Sequence, residues 1–407
     1  MLTMRAQLAA PPSPFAKGGL ADSACFANTD FLRALVSWWL RLLFPIRHSP
    51  FAIRYSLFAI VAAALLFSPA LPAEVTITEL VPWELAVSNI PSFKVQAHAI
   101  EGDSAYIAFS GSGNSQIVRV ENLSGAQTRA LLVSPSNWTA VSGANQINGG
   151  FGLGVFGDYV RMADSNTRAV WHINKHDGTL ISHVSYARLL QLTGRPDALL
   201  TAANAMNPLT GEMTYYDSRS RSFVIATASN QVDWLITAVQ LMTVSGYSTV
   251  AEGVTYDFAG NFYWANNETD CIFMRASNGV LQIALTSTAI YAVSGASNVT
   301  FGALKYTPGG SLFFLDRISA CIYSFNPGAP NPAATLQRYV DSVTISNSVC
   351  GTVNLGAFGW YANNLTWNTV NNETGSNCLY RVVPEPAGLA FVILTGLAGS
   401  VRSVQLC

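Results

Sequence analysis

Six times along the chain, a short apolar stretch gives way to a polar turn rich in Asn, Asp and Ser, and a second apolar stretch follows. The units read A-Y-I-A-F-S-G-S-G-N-S-Q-I-V-R-V from Ala105, Y-V-R-M-A-D-S-N-T-R-A-V-W-H-I from Tyr159 and M-T-Y-Y-D-S-R-S-R-S-F-V-I from Met213. They continue as F-Y-W-A-N-N-E-T-D-C-I-F-M from Phe262, L-F-F-L-D-R-I-S-A-C-I-Y-S-F from Leu312 and L-T-W-N-T-V-N-N-E-T-G-S-N-C-L-Y-R from Leu365. Aligned on Ile117, Val170, Phe223, Ile272, Ile322 and Leu379, successive units are 53, 53, 49, 50 and 57 residues apart. Such runs are too short for helices and fit strands joined by tight turns.

A period near fifty has room for four short strands. One four-stranded sheet cannot cover both its faces, but six sheets around an axis cover each other. The pattern therefore predicts an all-β fold, a six-bladed β-propeller over residues 74–382. The fourth unit shows the full order. E-G-V-T-Y-D is the inner strand, F-Y-W-A the second and C-I-F-M-R the third, and S-N-G turns into V-L-Q-I-A-L. Gly260 and Gly279 fall where a positive φ is required. The segment Glu74–Val87 is placed to add a strand to the last blade. A two-sheet β-sandwich competes with this reading; a parallel β-helix would need a shorter period.

The strand, Gly-Asn turn, strand and Asp-rich turn order resembles that of NHL-type six-bladed propellers, as at Asp257, Gly260 and Asn261 and from Asp164 to Arg168. The string A-E-G-V-T-Y-D-F-A-G-N-F-Y-W-A-N from Ala251 is also similar to a blade opening of gluconolactonase-like propellers, with Val254 where that family has Pro. This second resemblance implies a divalent cation such as calcium on Glu252, at work in a lactonase or hydrolase. A hard cation needs several oxygen ligands. Asn148, Asn204 and Asn298 stand at comparable positions, with no motif to mark them. The competing assignment puts Glu252 in a loop cap or at the tunnel mouth, with no cofactor.

Two apolar segments flank this region. Leu57–Phe67 follows Arg47, His48 and Arg54 and precedes S-P-A-L-P-A, the three-part layout of a secretory signal over residues 51–73, cleaved after Ala70 or Ala73. A buried helix is the alternative. Residues 1–50 form a leader of uncertain status, and no Met lies between Met4 and Met162 to offer a later start. At the other end, residues 383–407 hold Pro384, Glu385 and Pro386, the apolar run Ala387–Val401 and then Arg402. This resembles the PEP-CTERM sorting signal of Gram-negative bacteria. The resemblance implies an N-terminal signal helix, a C-terminal apolar sorting helix in transient contact with the membrane, handling by an exosortase-like membrane enzyme, and a place on the cell surface or in the extracellular matrix. A single Arg departs from the several basic residues usual there. A simple tail anchor or a buried helix is the alternative.

Charged residues are only 11% of the chain and the net charge is −1, so nothing neutralises phosphates and nucleic acid is not an expected partner. The neutral polar surface suits an exported β protein; the resemblance to the sorting signal implies a non-catalytic surface or matrix protein that travels with exopolysaccharide systems, with a polysaccharide or surface-protein partner. Cys271, Cys321, Cys350 and Cys378 lie in the exported part, where disulfides are allowed; Cys350 with Cys378 is the preferred pair. The G-x-G-x-x-G match at Gly152–Gly157 runs on into a strand and reads as a turn, because a phosphate cradle needs a helix there. His172 and His176 fall on a strand and a hairpin, not on one helix face. No Ser, His and acid set stands out for nucleophilic catalysis. The tryptophans Trp138, Trp234, Trp264, Trp360 and Trp367 fill between blades, unless exposed for sugar stacking. The N-x-S/T sequons, such as Asn122 and Asn267, reflect composition.

Overall fold

The computed structural model describes residues 75–86, 94–111, 113–148, 152–198, 200–227, 231–348, 355–369 and 379–384, all within one unit, residues 72–407. The leader, the signal segment, Cys350, Cys378, Glu385, Pro386 and Arg402 lie outside the described residues.

Among the described residues, twenty-four strands form six antiparallel four-stranded sheets. The first blade holds β2 (Lys94–Glu101), β3 (Ser104–Ser110), β4 (Gln116–Glu121) and β5 (Thr128–Val133). The second holds β6 (Leu153–Phe156), β7 (Tyr159–Asp164), β8 (Ala169–Asn174) and β9 (Leu180–Val184). The third holds β10 (Leu200–Met206), β11 (Met213–Asp217), β12 (Ser222–Ala226) and β13 (Val232–Ile236). The fourth holds β14 (Ala251–Tyr256), β15 (Phe262–Asn266), β16 (Cys271–Arg275) and β17 (Leu281–Leu285). The fifth holds β18 (Phe301–Tyr306), β19 (Leu312–Asp316), β20 (Cys321–Phe325) and β21 (Gln337–Val340). The sixth joins β22 (Leu355–Tyr361), β23 (Asn364–Thr369) and β24 (Leu379–Pro384) to β1 (Val75–Val81), the first strand among the described residues.

The inner strands β2, β6, β10, β14, β18 and β22 each lie against the next, and β22 returns to β2. The ring is therefore closed, as the fifty-residue period predicts. A β-sandwich has no such cycle of six sheets. Ring closure by the N-terminal segment is also as expected: β1 pairs with β24 from Val75 opposite Pro384 to Val81 opposite Leu379. The first proline of the Pro-Glu-Pro box thus ends a propeller strand, which tolerates proline at its end.

The six aligned anchors all fall on third strands and are fully buried. Around them, aromatic side chains fill the blade interfaces. Phe223, Phe262, Trp264 and Phe273 meet with centroids 5.0–6.0 Å apart across the third and fourth blades. Trp138, Trp264 and Trp367 are completely buried, which gives them the filling role.

In blades two to five the second strand ends in Asp164, Asp217, Asn266 or Asp316, each 0% exposed. Asp316 shows why. It accepts hydrogen bonds from Thr300 N (3.1 Å), Ile318 N (3.0 Å) and Ser319 N (3.2 Å), fastening the entry to the inner strand and the next turn to one side chain. Asp164 does the same for Asn148 N and Thr167 N. Four residues beyond each acceptor, Arg168, Arg221, Asp270 and Ala320 take φ of 51–54°.

An element that the strand pattern misses recurs after the outer strands. The helices are α1 (Trp83–Ala86), α2 (Pro135–Ser142), α3 (Tyr186–Thr193), α4 (Ala238–Ser245), α5 (Ser287–Ser294) and α6 (Ser342–Ser348). Ser134, Ser185, Thr237 and Thr286 cap α2–α5 by accepting a backbone N–H three residues on. Gly143, Gly194, Gly246 and Gly295 end these helices at φ 65–74°. Trp138, Leu189, Leu241, Ile290 and Ile345 of α2–α6 are the buried residues of those helices. Helices α3–α6 each pack on the outer strand of the following blade. Among the described residues no helix is long and apolar enough to cross a membrane.

Candidate functional site

The inner strands enclose an axial cavity of about 320 Å³ lined by residues of all six blades. Strand pairing relates equivalent positions. Directly opposite the second strands lie His98, Leu153, Asn204, Val254, Leu304 and Phe358. One residue further along are Ala99, Gly154, Ala205, Thr255, Lys305 and Gly359. Beyond these are Ile100, Val155, Met206, Tyr256, Tyr306 and Trp360. The middle layer is small except at one blade, where Lys305 supplies the only long side chain.

Small residues are needed because inner strands crowd at an axis. A Cβ on Gly253 would lie 2.5 Å from the carbonyl oxygen of Gly302, and one on Gly154 would lie 3.0 Å from Met206. Register irregularities recur where β14, β18 and β22 enter, between Ala251 and Val254, Phe301 and Leu304, and Leu355 and Phe358. Such bulges bend a strand and redirect its side chains.

Three charged groups on inner strands line the channel. Glu101, at one end, meets Lys175 Nζ at 2.8 Å. Glu252 meets Arg317 Nη1 at 3.8 Å, each side chain about one-third exposed. Burial raises the Glu252 carboxyl above the usual carboxylate range, while Arg317 pulls it back. Lys305 is the third. Among the described residues its Nζ has no hydrogen bond and no ion pair, and burial lowers its pKa.

At one mouth the turns between inner and second strands carry Pro208, Leu209, Phe258 and Pro308. Phe258 is 55% exposed and meets Tyr306 edge-on at 6.0 Å. Trp360 borders the cavity from the sixth blade, while Tyr256 is buried against the third blade with its hydroxyl meeting Thr214.

His98 belongs to the seam between the first and sixth blades. Its Nδ1 lies 3.0 Å from Asn368 Oδ1 and its Nε2 3.2 Å from Thr366 Oγ1. Asn368 also accepts from Ala357 N and donates to Val95 O. Burial lowers the His98 pKa to about 4, so the ring is neutral at pH 7, with Nδ1 donating to Asn368 and Nε2 accepting from Thr366. Gly359 makes this possible, since a Cβ there would lie 2.6 Å from His98 Nε2.

The sequence-predicted residues divide. Glu252 and Asn204 line the channel. Asn148 is engaged with the Asp164 turn, and Asn298 is exposed before β18. A hard divalent cation would find two channel carboxylates, Glu101 and Glu252, each already facing a cation, Lys175 or Arg317, and the Lys305 ammonium in the same cavity. That donor set does not fit the expected calcium site. Among the described residues no group of three or more His, Cys, Asp or Glu is placed to hold a metal. The glycines of G-x-G-x-x-G flank and enter β6; Gly157 forms the turn at φ 58°, as read. His172 lies on β8 and His176 in the following turn, where it meets Asp158 at 3.5 Å. His172 instead stacks on His183, with centroids 3.8 Å apart. Cys271 and Cys321 are buried free thiols. Lys305 and His98 were missed. Their signal is a charged or titratable residue at a repeat position where neighbouring units place apolar or small ones.

No protein-family model matches the chain, and no curated protein does. Solved structures are similar in fold. One is a protein of unknown function from Bacteroides thetaiotaomicron, 10% identical, covering 76% of each chain at a TM-score of 0.51. A calcium-binding protein, regucalcin, from Agrobacterium tumefaciens is 10% identical over 72% of this chain and 90% of its own (TM-score 0.48). Virginiamycin B lyase from Staphylococcus aureus is 8% identical over 76% and 99% (TM-score 0.47). The likeness is one of fold, an all-β propeller that serves enzymes and binding proteins alike.

Proposed function

We propose that the chain is an exported binding protein whose propeller holds a ligand in its axial channel at the cell surface or in the extracellular matrix. The observation that carries the binding role is the channel: a cavity of about 320 Å³ with Lys305 projecting from a layer of small residues. Cavities near this size suit small molecules or single sugar units. Export rests on the sequence, on the Leu57–Phe67 signal segment and the Pro384–Pro386 box with Arg402. An exosortase-like enzyme is the expected processing partner, and an exopolysaccharide or surface protein the expected companion outside.

The experiment is fractionation of cells making the full chain, with the intact mass of the exported product. Cleavage after Ala70 or Ala73, a shortened C-terminus and retention by the matrix support the reading. An unshortened protein held inside the cell would refute it. The lactonase-like alternative rests on Glu252 and has its own check. Stoichiometric calcium that disappears in Glu252→Gln would revive it against the donor count above.

A further inference from the structure

We propose that the axial channel takes a carboxylated sugar, a uronic acid unit, with its carboxylate on Lys305 Nζ and its ring against Phe258, Tyr306 and Trp360. This rests on the binding reading and adds the ligand class.

Charge gives the sign. Of the charged groups on the inner strands around the cavity, Glu101 has Lys175 at 2.8 Å and Glu252 has Arg317 at 3.8 Å. Lys305 has neither an ion pair nor a hydrogen bond among the described residues. One uncompensated ammonium in a part-buried cavity favours an anion, and a charge-assisted contact there is stronger than in water. Sterics give the access. The residues level with Lys305 on the other five blades are Ala99, Gly154, Ala205, Thr255 and Gly359, so a ligand meets no second long side chain at that depth. The mouth gives the body of the ligand. Phe258 presents an exposed ring edge-on to Tyr306, and an aromatic wall beside a polar group suits the C–H face of a sugar with a charged substituent.

The test is calorimetric titration of the full-length chain in detergent with trigalacturonate and with neutral galactotriose. The expected result is binding of trigalacturonate about tenfold or more tighter than galactotriose. Lys305→Met removes that preference by lowering trigalacturonate binding to the level of galactotriose, whereas Phe258→Ala weakens both. Lys305→Met leaves no buried group unpaired and is expected to fold; should it not, Lys305→Gln is read the same way. Equal affinity for the two sugars overturns the proposal, as does acid binding that survives both Lys305 variants. A tripeptide with a free C-terminus that binds through Lys305 while neither sugar binds also overturns it. If the chain is exported and matrix-retained but both sugars fail, this inference falls and the binding reading stands. If the acid sugar binds but the chain stays inside the cell, export is what fails.

Discussion

Acid should loosen the ring at the seam between its first and sixth blades. His98 is 2% exposed and neutral, and burial holds its folded pKa at about 4, below the ordinary histidine value of 6.5. The unfolded chain therefore binds the extra proton more readily. The stability this group contributes is present above pH 6.5 and is lost as pH falls towards 4. A shift of about 2.5 pKa units at 1.36 kcal/mol each is roughly 3 kcal/mol, of which most disappears between pH 7.5 and 4.5. The assay is guanidinium unfolding followed by tryptophan fluorescence at both pH values, for wild type and His98→Gln. Gln keeps a donor for Asn368 and an acceptor for Thr366 without a titrating ring. Other groups titrate equally in both proteins and cancel in the difference. Wild type should lose about 2–3 kcal/mol more than His98→Gln on acidification. Equal losses would refute the buried, neutral assignment.

Three further outcomes are expected. Asp316→Ala orphans the amides of Thr300, Ile318 and Ser319 and should cost roughly 3 kcal/mol, read from the denaturant midpoint. Gly359→Ala pushes a Cβ to 2.6 Å from both His98 Nε2 and Thr366 Oγ1 and should cost about 1–3 kcal/mol in thermal unfolding, while Gly125→Ala, with nothing within 4 Å, stays within about 0.5 kcal/mol of wild type. Thr286→Ala, which removes the acceptor for Ala289 N at the start of α5, should lower stability by about 1 kcal/mol; a loss below a few tenths would show that the cap is not used.

Most of the fold was legible because each blade spells its strands with alternation and its turns with Asn, Asp and Gly. Ile117, Val170, Phe223, Ile272, Ile322 and Leu379 were alignable because the same core position recurs in every unit. The helices were not, for they are two turns long and give too few apolar positions for a helical period. Their caps were readable all the same: Ser185 to Gly194 and Thr286 to Gly295 share one spacing. The channel was half legible. Glu252 was picked out by a family-like string, yet its surroundings depend on which residues five other blades bring to the axis. Lys305 sits in F-G-A-L-K-Y, an ordinary half-apolar strand until its neighbours around the ring prove to be Ala, Gly and Thr.

Because β1 completes the sheet of β22, β23 and β24 by pairing with β24, the earliest-made of the described strands has no partner until residues 379–384 arrive. A chain that stops before Leu379 would carry an unzipped edge with bare amide and carbonyl groups, an invitation to aggregation or proteolysis. Closure of the last blade therefore waits until the chain has been made through Pro384.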